Sequence, residues 1–176
     1  MPRPFLHVAG IGYHNRQLDP DKELATVRTN CEGMVRIVTH FVAYVRKHDV
    51  YTQKHKAHLA VVSSSAGTKG LGAAPAYSAS KRMESTYLQA LTQLVRMEKI
   101  PMRITDIRPG FVATDLLDKE RRYPMLLTRQ AAAQHILKGI KRRKRIVTFD
   151  WKYRLLVAGW RLIPRPIWER LTWVDT

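Results

Sequence analysis

Tyr77 and Lys81 stand four residues apart in Tyr77-Ser78-Ala79-Ser80-Lys81. In a helix that spacing puts both side chains on one face, within reach of a common point. An ammonium beside a phenol favours the phenolate and draws its pKa below the usual value of ~10. A phenol tuned in this way can exchange a proton with a carbonyl or alcohol oxygen. The pair alone is a weak signal, because a chain rich in lysine with 7 tyrosines meets the spacing by chance. Ser64 sharpens it. It follows the apolar run His58-Leu59-Ala60-Val61-Val62, at the carboxyl end of an expected strand, the edge where open parallel sheets place their ligands. A hydroxyl there can hold the same substrate oxygen.

The elements that must position these groups are legible as alternating strands and helices. Phe5 to Val8 is a short apolar run ended by the turn Ala9-Gly10-Ile11-Gly12. Apolar residues at helical spacing predict one long amphipathic helix from about Asp21 to His48, capped by Asp19 or Asp21. His58 to Val62 reads as a strand buried on both faces. Pro75 opens a helix that runs to about Met97, and Arg103 to Ile107 is a third strand, cut by Arg108-Pro109-Gly110. Thr128 caps a helix from Arg129 to about Lys141, and Ile146 to Phe149 supplies a fourth strand. This order predicts an α/β fold, part of a doubly wound parallel sheet of about four strands, with right-handed crossovers and helices on both faces.

Val62-Ser63-Ser64-Ser65-Ala66-Gly67 followed by Ala76-Tyr77-Ser78-Ala79-Ser80-Lys81 resembles the active-site strand and helix of the short-chain dehydrogenase/reductase family. Asn30 in Asn30-Cys31-Glu32-Gly33 resembles the family's helix asparagine, and Arg108-Pro109-Gly110-Phe111-Val112-Ala113-Thr114 its Pro-Gly turn. Taken singly, each is ordinary: a polar helix residue, a turn serine, loop punctuation. Together and in order they implicate the family. The resemblance implies a Rossmann-like fold and a catalytic set of Asn30, Ser64, Tyr77 and Lys81. In that set Tyr77 is the general acid or base and Ser64 orients the substrate oxygen, while Lys81 lowers the Tyr77 pKa and holds the nicotinamide ribose. Asn30 fixes a water that links Lys81 to solvent. NAD or NADP would be held by Ala9, Gly10, Tyr77, Lys81, Pro109, Gly110, Val112 and Thr114, and would interconvert a small-molecule carbonyl and alcohol. The resemblance also implies a homo-oligomer.

The chain departs from the family at the cofactor grip. The glycine-rich loop Thr-Gly-x-x-x-Gly-x-Gly is absent: aligning Gly10 and Gly12 to it demands a glycine where Leu6 stands. Ala9-Gly10 instead resembles the family's Asn-Asn-Ala-Gly turn, with His7 and Val8 in place of the asparagines. On this reading the chain is the C-terminal part of the fold, truncated before its fourth strand, and that strand presents an unpaired edge. The segment selecting NAD or NADP is missing with it, and the variable segment Asp115 to Leu127 names no substrate. Residues 1–150 are read as a partial catalytic domain and 151–176 as a basic, Trp-rich helical tail.

Composition sets the outer limits. The 176 residues, 45% hydrophobic, suit a single globular unit, and the one cysteine, Cys31, excludes an internal disulfide framework. No Cys/His cluster has metal-ligand spacing, and no metal is expected. A cytoplasmic setting fits, peripheral to a membrane at most. The net charge of +17 concentrates late, with Lys141-Arg142-Arg143-Lys144-Arg145 read as a solvated helix end rather than an anion site. Nucleic acid is not expected, since charge is the whole case for it. The tail, with Leu155-Leu156-Val157-Ala158 between Arg154 and Arg161, fits either a helix packed on its own domain or a second subunit, or one lying in a membrane interface with Trp160, Trp168 and Trp173 at the boundary. A non-catalytic binding module derived from the family is the alternative to an enzyme.

Overall fold

A computed structural model describes residues 4–117, 123–149 and 151–172. Four segments, β1 (Phe5–His7), β2 (Ala57–Val62), β3 (Met102–Arg108) and β4 (Ile146–Thr148), pair in parallel in the order β1-β2-β3-β4. The two central strands, in register from Ala57 opposite Met102 to Val62 opposite Ile107, are buried along most of their length because both faces are covered; β2 is largely apolar, whereas β3 also buries Thr105 and Asp106. β1 lies at the edge, paired with β2 alone, and leaves Leu6 39% and Val8 58% exposed.

Helix α1 (Pro20–Val27) starts where Asp19 accepts the backbone N–H of Asp21 at 3.0 Å and Pro20 supplies a preset φ. It continues through a π-helical turn (Arg28–Gly33) into α2 (Met34–Lys47), so the single helix expected over this stretch is one run with a wide turn in its middle. A π turn is a common device at functional positions, and here it carries Asn30. Helix α3 (Pro75–Met97) follows β2, and α4 (Arg129–Lys141) follows β3 with the Thr128 hydroxyl accepting from Ala131 N at 3.2 Å. The chain ends in α5 (Trp151–Leu162) and the short α6 (Arg165–Trp168).

The core is divided by the sheet. Leu59 and Val61 of β2 pack with Met34, Val38 and Val45 of α2 and Leu88, Leu91 and Val95 of α3 on one face. Ala60 packs with Ile107, Ala132, Val147 and Phe149 on the other, where Ile136 and Ile140 place α4. Because strand order advances by one at each step, helices on opposite faces require crossovers of opposite hand. The β3–α4–β4 connection therefore differs in hand from the two before it, against the expectation of uniformly right-handed crossovers. The long segment from Pro109 to Thr128 gives the chain room to reach the other face.

Candidate active site

The first turn of α3 sets the position of Tyr77, and an acid from another helix fixes that turn. Glu23 of α1 accepts the Ala76 N–H at 3.0 Å, supplying both a partner and a negative charge to a helix N-terminus, while its other oxygen takes the Asn15 amide at 2.8 Å. From the opposite side, the 3₁₀ turn Ser65–Thr68 lies directly on α3: a Cβ at Gly67 would stand 2.6–2.7 Å from the backbone of Lys81 and Arg82. Only glycine permits that approach. Ser64, immediately before the turn, accepts from Ala66 N at 3.1 Å and is 8% exposed. A third backbone segment closes on the phenol, since a Cβ at Gly12 would overlap the Tyr77 ring. In the sequence Gly12 reads as turn punctuation and Gly67 as part of the Ser64 motif, because their steric use depends on partners that only the fold brings near.

Lys81 is buried, with its Nζ 5.8 Å from the centre of the Tyr77 ring. Its ammonium donates to both oxygens of Glu84, at 2.9 and 3.1 Å, and to Val62 O at 3.4 Å. Glu84 is 1% exposed. Burial pushes its carboxyl up from 4.5 to about 7, the Lys81 ammonium pulling it down less than desolvation raises it and Asp106 adding to the rise. Asp106 lies on β3, where it accepts from Ser63 and pairs with Arg108 at 2.6 Å. Sequence reading missed Glu84. An i, i+3 Lys-Glu pair on a helix usually lies on the surface, and only the packed sheet makes this one internal.

Asn30, fully buried in the π turn, spends its side chain on protein partners: Oδ1 accepts from Ile11 N at 2.8 Å, and Nδ2 donates to Ile11 O at 2.7 Å and to Ser80 Oγ at 2.9 Å. It thereby ties the Ala9 to Gly12 loop to α3. Gly10 sits against the pair, and a Cβ there would stand 3.0 Å from Lys81 Nζ and 3.4 Å from Asn30 Oδ1. His7, at the end of β1, has a buried Nε2 with no hydrogen-bond partner among the described residues, and burial together with the Lys81 charge lowers its pKa.

The Pro-Gly turn joins the same edge through Ser65 N, which donates to Pro109 O at 2.9 Å. Its conformation is set from the tail: the Tyr153 ring lies flush on Gly110, where a Cβ would overlap it, and Tyr153 Oη accepts from Phe111 N at 3.0 Å and donates to Pro124 O at 2.9 Å. Val112 bridges Leu127, and Thr114 is exposed on the same loop. Residues 118–122 of the variable segment expected on the substrate side, and Trp173 of the tail, lie outside the described residues.

The structure thus draws Asn30, Tyr77, Lys81, Gly10 and Gly12 into one contiguous cluster, with Ser64 and Pro109-Gly110 joined to it through the Ser65–Thr68 turn. Close backbone at Gly10, the ammonium beside it, the orphaned His7 Nε2 and the exposed Thr114 suit the nicotinamide and ribose end of a dinucleotide. No glycine-rich phosphate cradle occurs in the sequence. A cleft of about 930 Å³ between α6, α3 and residues 67–73 lies elsewhere and includes neither Tyr77 nor Lys81.

The family profile of the short chain dehydrogenases matches residues 5–124. An uncharacterized oxidoreductase of Myxococcus xanthus is 33% identical over 92% of this chain and 62% of its own length, and one of Mycobacterium tuberculosis is 25% identical over 88% and 59%. The chain therefore spans about three fifths of the length of these relatives. Among solved structures, a short chain dehydrogenase of Burkholderia cenocepacia in complex with NADP superposes with a TM-score of 0.76 at 16% identity, covering 95% of this chain and 68% of that one. One of Burkholderia phymatum in complex with NAD gives 0.65 at 16% identity, covering 87% and 63%. The matched span contains the Tyr77/Lys81 helix, the Ser64 loop, the π turn and the Pro-Gly turn, and the chain belongs to the short chain dehydrogenase family.

Proposed function

We propose that this protein interconverts a carbonyl and an alcohol with NAD or NADP as the redox partner. The observation that carries the reading is the cluster at the start of α3, where Tyr77 and Lys81 share a face and the backbone at Gly12 and Gly10 is pressed against them. A reduced nicotinamide, when bound, supplies the hydride to the carbonyl carbon. In that direction Tyr77 Oη gives its proton to the carbonyl oxygen, and in the reverse direction its phenolate takes the alcohol proton. Ser64 Oγ, donating to the substrate oxygen, orients it against Tyr77. Lys81 places a positive charge near the developing phenolate, and Asn30 holds the Gly10–Gly12 loop where the nicotinamide end would lie.

Glu84 is a positioning residue in this reading. It fixes the Lys81 ammonium and sets how much of that charge is offset locally: an ionised carboxylate at 2.9 Å competes with the phenolate for the lysine, and a protonated one does not. The site therefore reports pH through a group that never touches substrate.

The test is binding of NADH and NADPH to the purified protein, followed by turnover on a panel of aldehydes and ketones, for the wild type and Tyr77→Phe. Cofactor binding in both proteins with turnover only in the wild type supports the assignment. Turnover that survives Tyr77→Phe overturns it, and a protein that binds neither cofactor is a non-catalytic member of its family.

A further inference from the structure

Helix α5 buries one apolar face and shows another. Tyr153 and Val157 are buried against the domain, with Leu156 and Trp160 half-buried beside them. On the opposite side Trp151, Leu155, Ala158 and Leu162, spaced by four, three and four residues, form a continuous stripe, with Trp151 64%, Leu155 63% and Leu162 83% exposed. Ile167 of α6 adds a further exposed apolar group at 52%. Lys152 flanks the stripe on one side and Arg154 and Arg161 on the other, all exposed, and Arg165 and Arg170 continue the basic border. The one acid described in this segment, Glu169, is paired with Arg165 at 2.6 Å.

The segment is anchored rather than loose. Lys69 Nζ donates to Ile163 O at 2.7 Å, Trp168 Nε1 donates to Gly70 O at 2.7 Å, and Trp160 and Trp168 stack edge to face at 5.3 Å. Trp160 and Trp168, expected to suit a membrane boundary, are thus turned into the protein, and the outward tryptophan is Trp151. A rigid helix that holds a narrow apolar stripe outward between two rows of cations is suited to lie in the plane of a bilayer surface, its apolar side among the upper acyl chains and its cations among acidic headgroups. No helix among the described residues is long and apolar enough to cross a membrane, so the fit is to lying on it.

We propose that α5 docks this protein on anionic lipid surfaces. A second copy of the chain fits the stripe less well. Packing two α5 helices together sets their Arg and Lys borders against one another between chains that each carry +17, with no acidic row among the described residues to offset them. A lipid surface rich in acidic headgroups removes that repulsion and turns the same charge into attraction.

The experiment is co-sedimentation of the full protein with vesicles of phosphatidylcholine, with and without phosphatidylglycerol, at low and high salt, for the wild type and Leu155→Glu/Leu162→Glu. Both altered residues are exposed, so circular dichroism and melting should match the wild type. Expected are binding to the anionic vesicles only, weakening with salt, quenching of tryptophan emission by bilayers of brominated lipid, and a loss in affinity of at least about tenfold in the double variant. Absence of binding to anionic vesicles at low salt overturns the proposal, as does equal binding by the double variant. A wild type that is oligomeric and does not bind vesicles, with a monomeric double variant, assigns the stripe to a subunit contact instead.

Discussion

Helices α3 and α5 both break the rule that charge faces water and apolar groups face the core, and they break it in opposite directions. Helix α3 carries a lysine and a glutamate inward, 4% and 1% exposed, whereas α5 carries a tryptophan and two leucines outward, each more than 60% exposed. Each departure is costly if nothing compensates it: an unpaired buried charge is strongly destabilising, and a contiguous apolar stripe orders water. The compensation differs. In α3 it is internal, an ion pair in which the Lys81 ammonium meets both oxygens of Glu84 beside Tyr77. In α5 no described residue covers the stripe, and the compensation proposed for it is a lipid surface. Buried charge and exposed apolar area are the informative exceptions to ordinary burial, and the two proposals rest on one of each.

The largest expected effect lies on the Tyr77/Lys81 face of α3. Tyr77→Phe should lower carbonyl reduction by about 10² to 10⁴ with the fold and cofactor binding retained, since it deletes one proton-transfer group and little volume; steady-state rates with either nicotinamide check this. Glu84→Leu leaves the buried Lys81 ammonium without its partner and should cost about 3–5 kcal/mol in urea unfolding. Lys81→Met/Glu84→Leu should regain most of that stability while remaining inactive, a recovery that separates the cost of an orphaned charge from the loss of a contact.

The pH dependence sharpens the same point. The folded state raises the Glu84 carboxyl from 4.5 to about 7, so it binds the Glu84 proton more tightly than the unfolded chain does. That contribution is fully present below about pH 4.5 and is lost as pH rises through about 7. His7 and His58, whose values are lowered by burial, act in the opposite sense and lose stability as pH falls. The difference between wild type and Glu84→Gln across pH 4.5 to 7 therefore isolates the glutamate. Wild-type stability should decline over that window relative to the variant, as followed by thermal melts.

Smaller effects come from the tail. Tyr153→Phe removes the partner of Phe111 N and Pro124 O and should cost about 1–3 kcal/mol, together with a rise in KM if the Pro-Gly turn borders the cofactor. Leu155→Glu/Leu162→Glu should stay within about 0.5 kcal/mol of wild type in the absence of lipid. An inward lysine-glutamate pair and an outward leucine pair would then differ by several kcal/mol when altered, although neither suits its side of the surface by composition.

Much of the framework was readable from the chain. Thr128 and Pro75 marked helix starts that the structure places at Arg129 and Pro75, and the apolar run around Leu59 and the segment from Arg103 to Ile107 gave the two central strands. The π turn was not legible, because its residues keep helical spacing and only the added width distinguishes it. Gly12, Gly67 and Tyr153 act on partners that the fold brings near, and local sequence holds no trace of that approach. Glu84 pairs with Lys81 three residues away, and only its burial beneath the packed sheet is invisible in the sequence. The last crossover was expected to share the hand of the others, and the packing of α4 on the face opposite α2 and α3 overturns that expectation.

By itself the sequence determined the alternation of strands and helices, the shared face of Tyr77 and Lys81, and the resemblance carried by Ser64, Asn30 and the Pro-Gly turn, because helical and strand periodicities and turn chemistry are local properties. Only the tertiary structure decided that Lys81 is held by a buried carboxylate, that Asn30 fastens a loop, and that α5 turns its tryptophans at 160 and 168 inward and its leucines at 155 and 162 outward. Which side of an element faces the core, and what an ionised group meets there, depends on segments far apart in the chain, and that is settled by packing rather than by spacing.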